Sequence, residues 1–190
     1  QGVTLLIAFA LLLILWGFKR EEFQTYFRKG NISAEITPEP WARIKPKPNE
    51  NWFHFGRNIG IVISLVTAIV IYFQLIHGKD ISGSNILSIL LFSLVFSLTN
   101  SFVEESITRL GVVVVLKGKL KDRTIPLISA LIFGIVHYWG NPGGIPGVIV
   151  AGFLGWFLAK SILETKGFFW AWLIHFVQDV IIFTARFLAE

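Results

Sequence analysis

Residues 86–116 read ILSILLFSLVFSLTNSFVEESITRLGVVVVL. A membrane-spanning helix needs about 20 mostly apolar residues, so this run is long enough to cross a bilayer at a tilt or to break near Gly111. Two adjacent carboxylates, Glu104 and Glu105, interrupt it, with Arg109 one helical turn beyond. A charged side chain at the centre of a membrane helix costs roughly 2.5–3.5 kcal/mol on insertion scales, so such groups turn towards the protein interior and mark function. The run therefore carries a buried polar site.

The whole chain has the same character. Of its 190 residues 54% are hydrophobic and 15% charged, with mean hydropathy +0.66; soluble domains carry about a quarter charged residues. The fold class expected is all-α, a polytopic transmembrane helix bundle of about six spans, at 3–16, 59–76, 86–116, 126–139, 146–163 and 168–188. The chain 1–190 reads as a single integral membrane domain, with a polar, Pro-rich connection at 17–58. It begins at Gln1 rather than Met, which suggests a processed or partial product. Cysteine is absent, which excludes disulfides and cysteine-ligated metal centres. Pro126 is expected at the first position of its helix, where a missing N–H is harmless.

Orientation follows from positive charge, which accumulates on the cytoplasmic side. The stretch 19–57 holds eight Lys/Arg and 117–123 holds four, and Lys160 and Lys166 flank a third connection on the same side, against Lys79 and Arg186 opposite. The basic loops 17–58 and 117–125 are therefore expected on the cytoplasmic side. Residues 21–29 read as an amphipathic helix lying at the bilayer surface, with Phe23, Tyr26 and Phe27 on one side. The prolines at 38, 40, 46 and 48 follow in an extended stretch, with Trp41 and Trp52 as headgroup anchors; a plain solvated linker with incidental aromatics fits the same residues equally well. The net charge of +5 sits in loops beside the spans, which argues for lipid contact and topology rather than nucleic acid.

Three spans carry unexpected polar groups: Glu104, Glu105 and Arg109 on the third, His137 on the fourth, His175 and Asp179 on the sixth. Counted from the cytoplasmic helix ends at 1.5 Å per residue, Glu104 lies about 18 Å deep, Glu105, His137 and Asp179 about 16 Å, and His175 about 10 Å. They share one layer, so a core from the third, fourth and sixth spans is expected. Glu105 and Arg109 are i, i+4, as are His175 and Asp179, a spacing that allows contact on one helix face. Adjacent Glu104 and Glu105 point about 100° apart. The economical division pairs Glu105 with Arg109 as a structural ion pair and turns Glu104 towards the histidines as an acid–base group. Gly143, Gly147, Ala151 and Gly155 repeat every fourth residue, a small-residue face for close helix packing.

At these residues the chain resembles the CAAX-protease and bacteriocin-processing (CPBP or Abi) family of intramembrane endopeptidases. Glu104-Glu105-Ser106-Ile107-Thr108-Arg109 resembles the family's Glu-Glu-x-x-x-Arg, Phe133 to His137 its Phe-x-x-x-His, and His175 to Asp179 its His-x-x-x-Asn/Asp. The CPBP-like core is 86–188. Thr108 and Leu110 depart from the commoner Phe and Gly, and Asp179 from the commoner Asn, which as an amide donates to an oxyanion as an ionised Asp does not. Asp179 would then be protonated, bind metal, or orient His175.

The resemblance implies peptide-bond hydrolysis without an acyl-enzyme. Glu104 with His137 would activate water, His175 and Asp179 would stabilise the tetrahedral intermediate, and Glu105 with Arg109 would hold the helix. It implies a membrane-associated, prenylated or leader-peptide substrate and membrane lipids as surroundings; a metal-independent route with no cofactor is expected from the motifs present. If zinc were bound, Glu104, His137 and His175 would hold it, but a His-Glu-x-x-His helix is lacking. Two other functions fit the same residues: an immunity, scaffold or chaperone-like partner of another membrane complex, and a proton or ion relay. The relay fits poorly with a chain that lacks an evident internal repeat.

Overall fold

The computed structural model of the chain describes residues 1–81, 83 and 85–189. In chain order these form α1 (Gly2–Phe18), α2 (Arg20–Tyr26), α3 (Trp52–Ile71), α4 (Ile86–Glu105), α5 (Gly111–Leu116), α6 (Thr124–Val136), α7 (Gly144–Thr165) and α8 (Phe169–Ala189). Apart from isolated bridges, the described residues hold no β-structure. Two asparagines start long helices: the Asn51 side chain accepts the N–H of His54 at the head of α3, and Asn85 that of Ser88 at the head of α4. Each satisfies one of the N–H groups that a helix start leaves unpaired.

Among the described residues four helical stretches are long and apolar enough to cross a membrane: Trp52–Ile76, Ile86–Leu116, Gly144–Thr165 and Phe169–Ala189. Gly2–Phe18 and Thr124–Trp139 are apolar but shorter. The lipid-ready character is visible on the surface, where Leu6, Leu13, Leu65, Ile69, Leu87 and Leu131 are each more than half exposed. In place of a break near Gly111, the long third helix carries a π turn at Ser106–Leu110 and runs on into α5. Helix α6 starts at Thr124, so Pro126 occupies its third position rather than its first. It is tolerated there because the whole first turn lacks intrahelical acceptors for its N–H groups.

The polar segment differs from expectation at α2 and at Trp52. Helix α2 is shorter than 21–29, and Phe23 and Tyr26 enter the core. Phe27 packs edge-on against Phe102 and Phe168. Trp52 is fully buried against Phe55 and Phe157 and donates its Nε1–H to Glu164 at 2.8 Å. Trp41 stays exposed but rests edge-on against Trp156. The physical reason is that a tryptophan beside charges satisfies its N–H equally well at a headgroup or at a protein carboxylate.

Residues 27–51 form a strap across the ends of α7 and α8. The Phe168 N–H donates to the Arg28 carbonyl at 2.7 Å and the Asn31 N–H to the Thr165 carbonyl at 2.8 Å. Gly30 and Gly167 meet where no side chain fits, since a Cβ on Gly30 would lie 2.6 Å from the Gly167 Cα. The strap is locked by Lys160, 4% exposed, whose Nζ donates to the Thr37 carbonyl at 2.9 Å and to Glu164 and lies 3.8 Å from Glu39. Arg123 approaches Glu39 from the 117–123 connection at 3.9 Å. The three basic connections thus meet at one end of the bundle.

Removing one partner of a buried ion cluster strands the others, at a cost of about 3–5 kcal/mol. Lys160→Met is therefore expected to lower the unfolding midpoint in detergent and to speed tryptic cleavage after Arg43, which lies in the released strap. Unchanged cleavage kinetics would show that the strap is held by other contacts.

Candidate active site

The site is organised by the end of α4. Ser93, Ser97, Ser101 and Glu105 recur every fourth residue and are all fully buried, which continues one small polar helix face into a carboxylate. Immediately after Glu105 the helix widens into the π turn, closed by the Gly111 N–H on the Ser106 carbonyl. The Ser129 hydroxyl of α6 donates to the Thr108 carbonyl within it at 2.8 Å. Such turns arise where an extra residue is accommodated in a helix and are frequent at functional sites.

Glu105 serves two partners. Its Oε1 lies 2.6 Å from His175 Nδ1 on α8 and 3.2 Å from Arg109 Nη1 on its own helix. Glu105 and Arg109 are both fully buried, and His175 is nearly so. The Arg109 guanidinium also lies 3.4 Å over the ring centroid of Phe133 from α6, a cation–π contact made stronger by desolvation. Arg109 Nη1 further donates to the Thr108 hydroxyl at 2.6 Å, so the unexpected Thr108 takes part in the packing of the turn. Pairing of Glu105 with Arg109 alone, as spacing suggested, is thus incomplete, because a helix-spacing rule does not register a partner on another helix.

Glu104 faces a different environment. Its Oε1 accepts a hydrogen bond from Asn100 Nδ2 at 3.1 Å, and the same Nδ2 donates to Asp179 Oδ2 at 3.1 Å. Glu104 Oε2 is buried without a hydrogen-bond partner and lies 3.6 Å from His175 Nε2. Asp179 Oδ1 is 3.5 Å from the same nitrogen. Both nitrogens of His175 therefore face carboxylates, and Asn100 ties two of those carboxylates together. The importance of Asn100 was only faintly signalled by its place one turn before Glu104.

His137 lies in the 3₁₀ turn that ends α6, and its Nδ1 is 2.8 Å from the Phe133 carbonyl. A carbonyl only accepts, so Nδ1 carries the proton and Nε2 is left free. The imidazole packs at 4.0 Å on the Phe133 ring, whose edge also meets His175 at 5.6 Å. Helix α7 sets the position of this turn through its small residues. A Cβ on Gly147 would lie 1.9 Å from the Pro142 carbonyl and 2.8 Å from that of His137, and one on Gly155 would lie 3.1 Å from the Phe133 Cβ. Gly143, the first residue of the repeat, falls just before α7.

His137, His175, Asp179 and Gln178 line one cavity of about 460 Å³, walled by apolar residues of α3 and α7 that include Val62, Val66, Ile149 and Val150. Glu104 reaches His175 from α4 and is not part of that lining. No hydrogen bond or ion pair joins Glu104 to His137 among the described residues. Nor is any group of three or more His, Cys, Asp or Glu side chains among them placed to hold a metal ion.

A family model described as Type II CAAX prenyl endopeptidase Rce1-like matches residues 85–181. No curated protein and no solved structure gives a match. The matched stretch runs from the cap of α4 through Asp179 and takes in Glu104, Glu105, Arg109, His137 and His175. A buried carboxylate and histidine cluster on apolar helices, set within that match, leads to one statement of kinship: the chain is an integral membrane protein that belongs to the Rce1-like family of type II CAAX prenyl endopeptidases.

Proposed function

We propose that the chain is an intramembrane endopeptidase that hydrolyses peptide bonds of membrane-associated, prenylated or leader-peptide substrates, with water as nucleophile and without a metal. The observation that carries this reading is the asymmetric setting of Glu104. One carboxylate oxygen is held by Asn100, and the other is buried, free and 3.6 Å from His175 Nε2. A carboxylate so held is suited to take a proton from water and to return it to the leaving amine. His137, with Nε2 free, completes the activation of that water from the cavity side. His175 faces the developing charge of the tetrahedral intermediate, and Asp179 orients it. Of the three roles open to Asp179, orientation accords best with its 3.5 Å approach to His175 and its bond from Asn100. A preorganised polar cluster away from bulk water is the setting in which such groups act most strongly.

The remaining assignments extend the same reading. Six crossings are formed when α1 and α6 join the four longer helices, with α4, α6 and α8 as the catalytic core. The basic connections 17–58 and 117–125 face the cytoplasm, and their meeting at one end of the bundle supports a shared side. The partners are membrane lipids and a membrane-associated protein or peptide substrate, with no nucleic acid. That no hydrogen bond joins His137 to Glu104 favours one competing reading, a non-proteolytic partner of another membrane complex.

Two substitutions divide these readings. Glu104→Gln keeps size and polarity, so the protein is expected to keep its unfolding midpoint in detergent. Its cleavage of a prenylated peptide should fall at least roughly 10³-fold; equal cleavage by wild type and variant would remove Glu104 from the chemistry. Glu105→Gln instead leaves the buried Arg109 without its carboxylate and is expected to lower stability by about 3–5 kcal/mol, read by denaturant titration, together with a loss of turnover through His175. If neither wild type nor variant cleaves any peptide and Glu104→Gln still supports the cellular function, the partner reading holds.

A further inference from the structure

Gln178 lines the same cavity as His137, His175 and Asp179, is 4% exposed, and has no part in the chemistry described above. Its hydrogen bonds settle which of its two polar atoms is committed. The Ser64 hydroxyl on α3 donates to the Gly60 carbonyl at 2.8 Å, so its single proton is spent and towards Gln178 it accepts only. Gln178 Nε2 donates to that hydroxyl at 2.9 Å and approaches the Ile174 carbonyl at 3.4 Å. The opposite amide orientation would set oxygen against the Ile174 carbonyl. What remains is Gln178 Oε1, a buried acceptor with no hydrogen-bond partner.

A buried acceptor left unmet is costly, and one held in place by a relay of three groups is not a loose side chain that finds its own partner. A peptide substrate supplies the complementary need. An extended backbone drawn into an apolar, membrane-embedded cavity brings N–H groups that no water satisfies, and each must find an acceptor on the enzyme. We infer that Gln178 Oε1 accepts a backbone N–H of the substrate beside the scissile bond, with Ser64 of α3 holding the amide in that orientation. The inference rests on the peptidase reading and adds a substrate-binding group to it.

The test uses the full chain in liposomes and a prenylated cysteine peptide ending in two aliphatic residues and a variable residue. Each backbone amide except the scissile one is replaced in turn by an ester, which removes one N–H. Wild type is expected to lose about tenfold in kcat/KM at one ester position. Gln178→Leu should show that loss with the all-amide peptide and no further loss at that position, with its unfolding midpoint unchanged. A purely structural role for Gln178 would instead lower activity equally for amide and ester peptides. That result, or wild-type kcat/KM in the variant, would overturn the inference. Should Gln178→Leu fail to fold, Gln178→Met keeps the length without the oxygen and is judged by the same outcomes. If wild type cleaves none of the peptides, the peptidase reading falls separately, and equilibrium binding of the same series decides this point. An ester penalty in wild type alone upholds it, and equal affinities overturn it.

Discussion

One carboxylate oxygen, Glu105 Oε1, holds together the end of α4, the guanidinium of Arg109 and the imidazole of His175. In a fully desolvated position such a charge persists only when its partners are close and well placed, and here they come from two helices. A third helix joins through the Phe133 ring beneath Arg109. Helices α4, α6 and α8 are thereby fixed relative to one another where the carboxylates and histidines cluster. Glu104, one residue earlier and turned about 100° away, is released from that structural duty.

The two ends of the bundle are held by different means. Around the strap, backbone and side-chain hydrogen bonds join segments far apart in sequence, and a buried lysine sits among carboxylates. Towards the cavity the chain relies on fit. Small residues of α7 let α6 approach to backbone contact, which fixes the turn bearing His137. In a medium as apolar as the side chains themselves, close packing of this kind is the main source of helix association.

Much of this was legible in the residues alone. Apolar runs located the helices, and four-residue spacings gathered Glu105 with Arg109 and His175 with Asp179. What escaped was relational. Spacing along a helix does not reveal a second partner across a helix interface, so the bond from Glu105 to His175 was missed. The π turn leaves no mark in composition. Trp52 reads alike as a headgroup anchor and as a core residue, because both surroundings offer its indole an acceptor. Ser64 and Gln178 gave no signal, since single polar residues on apolar helices are common; only their juxtaposition across α3 and α8 distinguishes them.

That juxtaposition bears on how the cavity is partitioned. The groups proposed for the chemistry lie on α4, α6 and α8 inside the matched stretch, whereas Val62, Val66 and Ser64 lie on α3, before it begins at residue 85. Helix α3 is apolar, leaves most of its surface unburied by the rest of the protein, and forms one apolar side of the chamber. The dimensions of the chamber can therefore be retuned by changes in α3 alone, so that under the proposed peptidase reading the shape of the chamber can vary while the polar cluster of α4, α6 and α8 stays fixed.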